Sequence, residues 1–439
     1  MERYLGAFEH LYWLYNQFYP IDFATVAKLQ GQFSSEQLST VLRQVQQHHP
    51  LLRVRIATDA IGQPKFVETD DEIPLRLVAR KDDRHWQAEL EVELARSVDW
   101  QVAPLLRVVL LQSGTESELI ILCHHAIADG LSGVYLMRDI LQGLAGKTFE
   151  WSDLSAALSL ESALPGIALS PEATAKPKDY PPPLSRRSQP HIHTIVLPPE
   201  LTQQLIQRSR AEHTTVHGAI SAAFLLALTQ QDAKSRDMMR CLHPVNVRSQ
   251  LPLPMPDGVG LYLSLGMTTH SLQADSMFWD VARSVKSQLS QIDIAQQLVE
   301  ERQLRQPTMA NLTNATAFVE AAQSQYLCQL NVTNLGRIDM ARQYGNIRIE
   351  ALHVPIPASG VELGQIVGVA TLGDRLALTI TSTPLIDVER AQSDQAATAF
   401  LSSGVKHLEL AVKQEVASEA ARSVALTERR QPLQLNRPY

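Results

Sequence analysis

Two adjacent histidines, followed by an aspartate and a glycine, form the segment of this sequence best suited to chemistry. The run His-His-Ala-Ile-Ala-Asp-Gly spans residues 124–130 and follows five apolar residues, Leu119 to Cys123. Imidazole exchanges protons near neutral pH, and a positioned general base accelerates a reaction by about 10²- to 10⁴-fold. The segment therefore indicates proton transfer at one of the two histidines.

The residues around the histidines predict the elements that hold them. Leu119 to Cys123 predicts a buried strand, and because side chains alternate along a strand, His124 and His125 should point to opposite faces. Asp129 and Gly130 predict a turn, since Asp bonds nearby backbone and Gly adopts conformations that other residues avoid. Apolar residues then recur at helical spacing at Val134, Met137, Ile140, Leu141 and Leu144. One histidine can thus face a cleft while the other packs.

This pattern resembles the active-site motif of the acyltransferases related to chloramphenicol acetyltransferase. That superfamily includes peptide-synthetase condensation domains, plant acyltransferases and polyketide-associated acyltransferases. Four further segments also resemble it, at residues 48–55, 104–107, 215–223 and 331–336. The plant motif Asp-Phe-Gly-Trp-Gly is missing late in the sequence. The condensation-domain and polyketide-associated branches therefore remain.

The resemblance implies a role for each motif residue. His125 is the general base that deprotonates the acceptor, and His124 packs or orients. Asp129 pairs with Arg248 and holds the shape of the loop. Gly130 keeps the channel beside the base open.

The resemblance also places a strand residue at the site. Thr333, with Asn334 second, is the candidate donor to the oxyanion of the tetrahedral intermediate. One such donor contributes about 2.7 to 4 kcal/mol in other enzymes. An ordinary strand threonine remains the alternative for Thr333.

Other interpretations of the histidines and of Asp129 stay open. His125 and Asp129 are also compatible with a metal site or a structural histidine, although no third ligand lies nearby in the sequence. Asp129 is alternatively the orienting carboxylate of a catalytic triad. His48 and His49 suggest a second metal site, but no cysteine or carboxylate lies at ligand spacing around them. We predict no metal.

Composition excludes several classes of protein. The chain has 439 residues, of which 45% are hydrophobic and 19% charged, with a net charge of -7, so disorder is disfavoured. Because no long basic run occurs, nucleic acid and anionic membranes are poor partners. The N-terminus lacks the apolar core of a signal peptide, and no apolar run is long enough to span a bilayer. Cys123, Cys241 and Cys328 adjoin apolar residues, which predicts buried thiols in a reducing cytoplasm.

The length and a proline-rich region predict the domain organisation. Nine prolines fall between Pro165 and Pro199, which favours an extended crossover. We predict an N-terminal subdomain at 1–164, this linker at 165–199, a C-terminal subdomain at 200–414 and a polar tail at 415–439. The fold that the resemblance implies is α/β. It consists of two subdomains like chloramphenicol acetyltransferase, each a mixed sheet flanked by helices, which form a pseudo-dimer with a central tunnel.

The resulting expectation is a free-standing, monomeric acyltransferase with no bound cofactor. It would move an acyl group from acyl-CoA or a phosphopantetheinyl carrier protein to a small-molecule hydroxyl or amine, with ester formation in lipid or polyketide metabolism slightly favoured. One alternative is a condensation domain that forms an amide. Another is a non-catalytic member that binds carrier proteins.

Overall fold

The structure is a computed structural model, and it describes most of the chain. The described residues are 1–19, 21–152, 157–164, 190–231, 238–252, 257–273, 275–312, 314–354, 365–382 and 390–414. The predicted polar tail at 415–439 and most of the predicted linker lie outside these residues.

Helices and strands are interspersed along the described chain. The helices are α1 Ala7–Phe18, α2 Ser35–His48, α3 His85–Leu94, α4 Gly130–Leu144, α5 Pro199–Ala211, α6 Val216–Gln231, α7 Phe278–Ser290, α8 Ile294–Ala310, α9 Ala315–Tyr326 and α10 Arg390–Lys413. The strands are β1 Glu2–Tyr4, β2 Phe23–Gln30, β3 Val54–Thr58, β4 Pro64–Glu68, β5 Leu75–Ala79, β6 Leu106–Ser113, β7 Glu116–Cys123, β8 His191–Val196, β9 Met239–Asn246, β10 Leu263–His270, β11 Leu330–Ile338, β12 Gln343–Tyr344, β13 Ile347–His353, β14 Gln365–Leu372 and β15 Arg375–Ser382.

The strands build two mixed six-stranded sheets and one small three-stranded sheet. The first large sheet has the order β12-β13-β2-β7-β6-β5, the second has the order β10-β9-β11-β14-β15-β8, and the small sheet is β1-β4-β3. Parallel pairs join β5 to β6 and β11 to both β9 and β14, whereas the other pairs within the two large sheets are antiparallel. The expected class is confirmed: an α/β fold with two mixed sheets flanked by helices.

The strand that leads to the motif is central in its sheet. β7 lies between β2 and β6, and every residue from Ser117 to Cys123 is buried. A strand covered on both faces is apolar at consecutive positions rather than at alternate ones. This explains the unbroken run from Leu119 to Cys123.

Local sequence signals account for several elements. Ser34 caps α2 by accepting the N–H of Gln37 at 3.1 Å, and the Gln37 side chain accepts the Ser34 N–H at 2.8 Å. Gly373, with φ of 62°, turns β14 into β15 as a hairpin. The three cysteines are buried and free, as predicted.

Strand pairing crosses the predicted linear division of the chain. β12 and β13, which come from the C-terminal half of the sequence, add to the first sheet beside β2. β8 pairs with β15 although it falls inside the predicted linker at 165–199. Residues 191–196 are therefore a strand of the second sheet rather than an extended connection.

Candidate active site

His124 holds the turn between β7 and α4. Its N–H donates to the carbonyl of Leu105 at 2.9 Å, so it still extends the sheet's hydrogen bonding. The side chain has no exposed surface, and its Nδ1 accepts the N–H of Ala126 at 3.1 Å. An imidazole nitrogen that accepts carries no proton. His124 is thus committed to packing and to the shape of the turn.

His125 faces a cavity between the two sheets. Its ring centroid lies 4.5 Å from that of Tyr12 and 4.8 Å from that of Phe23. Burial lowers the pKa of His125, although its own backbone, the backbone of Ala128 and the charge of Asp129 oppose the shift. The imidazole is therefore neutral at pH 7 and able to accept a proton.

Asp129 begins α4 and is surrounded by hydrogen-bond donors. Its carboxylate accepts the N–H of Ser132 at 3.0 Å and the N–H of Tyr262 at 2.9 Å. Arg248 donates to both carboxylate oxygens, at 2.7 and 3.1 Å, as the resemblance implied. Burial alone would raise the pKa of Asp129, but Arg248 and the backbone donors outweigh it and keep the pKa below its usual range. The ionised carboxylate is fully engaged in holding the loop.

A second contact ties the start of α4 to a segment from the other half of the chain. The N–H of Asp129 donates to the carbonyl of Gly260 at 3.2 Å, and the N–H of Gly260 donates to Ser132 Oγ at 3.2 Å. A Cβ on Gly260 would lie 2.2 Å from the Tyr262 ring, so the close approach requires glycine. Backbone hydrogen bonds, as well as the Asp129–Arg248 ion pair, therefore hold the motif turn against the second half of the chain.

Most of the site residues predicted from the sequence converge on the cavity. His125, Asp129, Gly130, Arg248, Thr333 and Asn334 all line it. His124 does not, because it points into the core. The cavity holds about 1380 Å³ of empty space, counting its open mouth. Residues from both halves of the chain therefore surround the space that His125 faces.

Thr333 and Asn334, both on β11, differ in their hydrogen bonding. Asn334 Oδ1 accepts the N–H of Gly336 at 2.7 Å, which engages that atom in the strand bulge. Among the described residues, the Thr333 hydroxyl makes only a long contact, 3.5 Å, with Asn331 Oδ1. Thr333 therefore keeps a hydroxyl that can donate into the cavity.

Sequence reasoning missed the helices that close the cavity. Tyr12 and Tyr15 line it from α1, and Tyr326 lines it from the end of α9. The available signal was the alternation of aromatic and aliphatic residues in α1, whose buried face includes Phe8, Leu11 and Leu14. It predicts an amphipathic helix but not the cavity that this helix faces.

His48 and His49 have a carboxylate beside them after all. Asp139, from α4, accepts from His49 Nε2 at 2.9 Å, and the three side chains offer atoms within 4.8 Å of one another. Arg138 binds the other Asp139 oxygen at 3.1 Å, and His48 Nδ1 contacts the Glu150 carbonyl at 2.9 Å. No carboxylate lies near the two histidines in the sequence, but the fold brings Asp139 beside them. These hydrogen bonds account for the group, which connects the end of α2 to α4.

Two family models match successive parts of the chain. The condensation domain matches residues 17–148, and the C-terminus of phthiocerol/phthiodiolone dimycocerosyl transferase matches residues 186–380. The first range contains the histidine motif, and the second contains Arg248 and β11. The match therefore covers both walls of the cavity.

Curated relatives match less than a third of the chain. Tyrocidine synthase 3 of Brevibacillus parabrevis is 31% identical over 132 residues, which is 30% of this chain and 2% of that protein. Chondramide synthase cmdD of Chondromyces crocatus is 32% identical over 130 residues, which is 26% of this chain and 3% of that protein. The chain thus spans a small fraction of these relatives.

Solved structures share the whole fold at low identity. Polyketide synthase associated protein 5 from Mycobacterium tuberculosis gives a TM-score of 0.66 at 16% identity, covering 94% of this chain and 98% of that one. The first condensation domain of the CDA synthetase gives 0.66 at 15% identity, with 95% and 98% coverage. The TRI3 trichothecene 15-O-acetyltransferase from Fusarium sporotrichioides gives 0.63 at 13% identity, with 94% and 95% coverage. Fold, motif and family matches agree, and the chain belongs to the superfamily of condensation domains and acyltransferases related to chloramphenicol acetyltransferase.

Proposed function

We propose that this protein transfers an acyl group from a thioester, acyl-CoA or an acyl carrier protein, to a hydroxyl group, with His125 as the general base. The observation that carries the proposal is a neutral histidine that faces an open cavity, together with Thr333 and the Asp129–Arg248 pair. The names of two similar proteins, a dimycocerosyl transferase and a 15-O-acetyltransferase, describe acyl transfer, and the second describes ester formation.

The proposed reaction needs one proton acceptor and one oxyanion donor. His125 takes the proton of the acceptor hydroxyl while its oxygen attacks the thioester carbonyl. The resulting oxyanion accepts a hydrogen bond from Thr333. The intermediate then collapses, the carbon–sulfur bond breaks, and the departing sulfur takes the proton from His125. The products are an ester and a free thiol, and the base is regenerated.

Amide formation is the second candidate. It is favoured by the condensation-domain match over residues 17–148, which contain the complete histidine motif. The same base would then deprotonate an amine as it attacks. A carrier-binding protein without activity is the third candidate, but the intact motif weighs against it.

Product analysis distinguishes the three candidates. The purified protein is offered a panel of acyl-CoAs and acyl carrier proteins, together with alcohols and amines, and the products are identified by mass spectrometry while thiol release is followed. We expect an ester and stoichiometric thiol. An amide as the only product would support the condensation reaction. Carrier binding without any thiol release would contradict both enzymatic proposals.

The low pKa of His125 predicts the pH dependence of transfer. The base must be neutral to act, so kcat/KM should fall on the acid side with a midpoint below 6.5, the ordinary imidazole value. A midpoint above 6.5 would contradict the buried, neutral base. The measurement is a pH profile of kcat/KM for acyl transfer.

The loss of activity at low pH must be separated from acid unfolding of the protein. Burial lowers the pKa of His243 to about 2, whereas in an unfolded chain the imidazole takes up a proton near 6.5. The unfolded state therefore binds more protons, and stability falls as the pH drops below about 6.5. Circular dichroism at each pH shows whether the loss of rate precedes the loss of structure.

A further inference from the structure

The two histidines at the end of α2 and the aspartate of α4 form a polar group outside the cavity. His48 ends α2, His49 follows it, and Asp139 lies on α4. Each side chain offers one ligand atom, and these atoms all lie within 4.8 Å of one another. Within the described part of the chain, no other group of three histidine, cysteine, aspartate or glutamate side chains lies this close. None of the three is among the described residues that line the cavity of His125.

The backbone determines which ring nitrogen His48 can offer. Its Nδ1 lies 2.9 Å from the carbonyl oxygen of Glu150, and because a carbonyl can only accept, Nδ1 carries the proton. Nε2 of the neutral ring then has a lone pair, and no described residue forms a hydrogen bond with it. Histidines that bind metal ions almost always donate the opposite N–H to a backbone carbonyl, a carboxylate or water. His48 therefore has the hydrogen bonding of a metal ligand.

His49 and Asp139 offer a nitrogen and an oxygen at a suitable separation. His49 Nε2 lies 2.9 Å from Asp139 Oδ2, and both side chains are buried. Burial lowers the pKa of His49. Burial alone would raise the pKa of Asp139, but the bonds to His49 and Arg138 keep it below its usual range. Zinc binds such atoms at about 2.0 to 2.2 Å, so two of its ligands stand about 3 to 3.5 Å apart. A small widening of this contact would admit the ion.

The charges around the group leave one carboxylate oxygen available to a cation. Arg138 Nε donates to Asp139 Oδ1 at 3.1 Å, whereas Oδ2 faces His49. Arg138 Nη1 also pairs with Asp257 at 2.9 Å, so a second carboxylate offsets the charge of the guanidinium. The His48 side chain is only partly buried, which gives an ion access from solvent.

We propose that His48, His49 and Asp139 bind one zinc ion, which connects α2 to α4. Two imidazole nitrogens and one carboxylate oxygen, with water as the fourth ligand, complete a four-coordinate zinc site. The ion takes the place of the proton between His49 Nε2 and Asp139, and His49 then carries its proton on Nδ1. Because α4 begins at its capping residue Asp129, zinc stabilises the helix that follows the histidine motif. The site lies outside the cavity and goes beyond the proposed function.

Zinc binding to the purified protein tests the proposal without requiring turnover. The protein is treated with a chelator, and zinc chloride is titrated by calorimetry into the wild type, His48→Ala and Asp139→Asn. We expect one ion per chain, and an unfolding temperature of the wild type that rises with zinc concentration. Loss of a residue that only orients a ligand weakens metal binding about 10- to 100-fold, so loss of a ligand should weaken it about 100-fold or more.

His407→Ala is the matched control. His407 is also a partly buried histidine, on α10, where its ring contacts Gln230, but it belongs to no group of potential ligands among the described residues. This variant should bind zinc like the wild type. X-ray absorption of the zinc-loaded wild type should show nitrogen and oxygen ligands at about 2.0 to 2.2 Å and no sulfur. This measurement needs no substitution, so it determines the ligand types even if a variant fails to fold.

Three results would overturn the zinc site. The first is no stoichiometric binding by the wild type. The second is wild-type affinity in both His48→Ala and Asp139→Asn, which would indicate an adventitious ion only. The third is a sulfur ligand, which would place the ion at a cysteine. Circular dichroism of the zinc-free variants should match that of the wild type, so that weaker binding reports the lost ligand rather than unfolding.

Discussion

Replacing His125 with alanine should reduce acyl transfer by about 10²- to 10⁴-fold or more while the protein stays folded. His125 is the neutral imidazole that faces the cavity, and its replacement removes the proton acceptor while Asp129 still caps α4 and pairs with Arg248. The measurement is kcat for thiol release together with thermal unfolding. KM should change little, since the substrates are held by the rest of the cavity.

His124→Ala is the matched control. His124 has no exposed surface and accepts a backbone hydrogen bond, so its loss leaves a cavity and an unpaired N–H on Ala126. It should cost more stability and less activity than His125→Ala. If His124→Ala lost more activity and less stability than His125→Ala, His124 would be the base and His125 the packing residue. Near-normal kcat in His125→Ala would eliminate it as the base.

Removing either partner of the Asp129–Arg248 pair should destabilise the protein by about 3 to 5 kcal/mol, because the other charge is left buried and uncompensated. Both side chains are about nine-tenths buried or more, and the shortest contact between them is 2.7 Å. Turnover should fall as well, since the same carboxylate caps the helix that follows the histidine turn. The measurement is denaturant unfolding of Asp129→Ala and Arg248→Ala.

The double variant shows whether the two residues act as a unit. Its loss of stability should be close to that of either single variant, giving a large coupling energy. Simple additivity would mean that they do not interact, and Asp129 would then become a candidate for a direct catalytic role. Glu118→Ala breaks another buried ion pair, with Arg80, toward the other end of β7. It should lower stability without affecting turnover of the folded protein.

The sequence by itself determined the local part of the site. An unbroken apolar run followed by polar residues determines where β7 ends, and alternation along the strand places His124 and His125 on different sides. Asp129 beside Gly130 determines where α4 begins, because its side chain caps the helix that follows. These features depend on neighbouring residues, so composition and spacing were sufficient to predict them.

Contacts between distant segments were decided only by the tertiary structure. Asp139 contacts His49, 90 residues away in sequence, and Gly260 contacts Ser132, 128 residues away. No local spacing of residues predicts either contact. β12 and β13 lie in the second half of the chain but join the first sheet, where β13 pairs with the edge of β2. Tyr15 and Tyr326 line one cavity only because α1 and α9, which are remote in sequence, both border it. The whole fold determines which distant side chains meet. The periodicity of the sequence indicates only whether each side chain is buried or exposed.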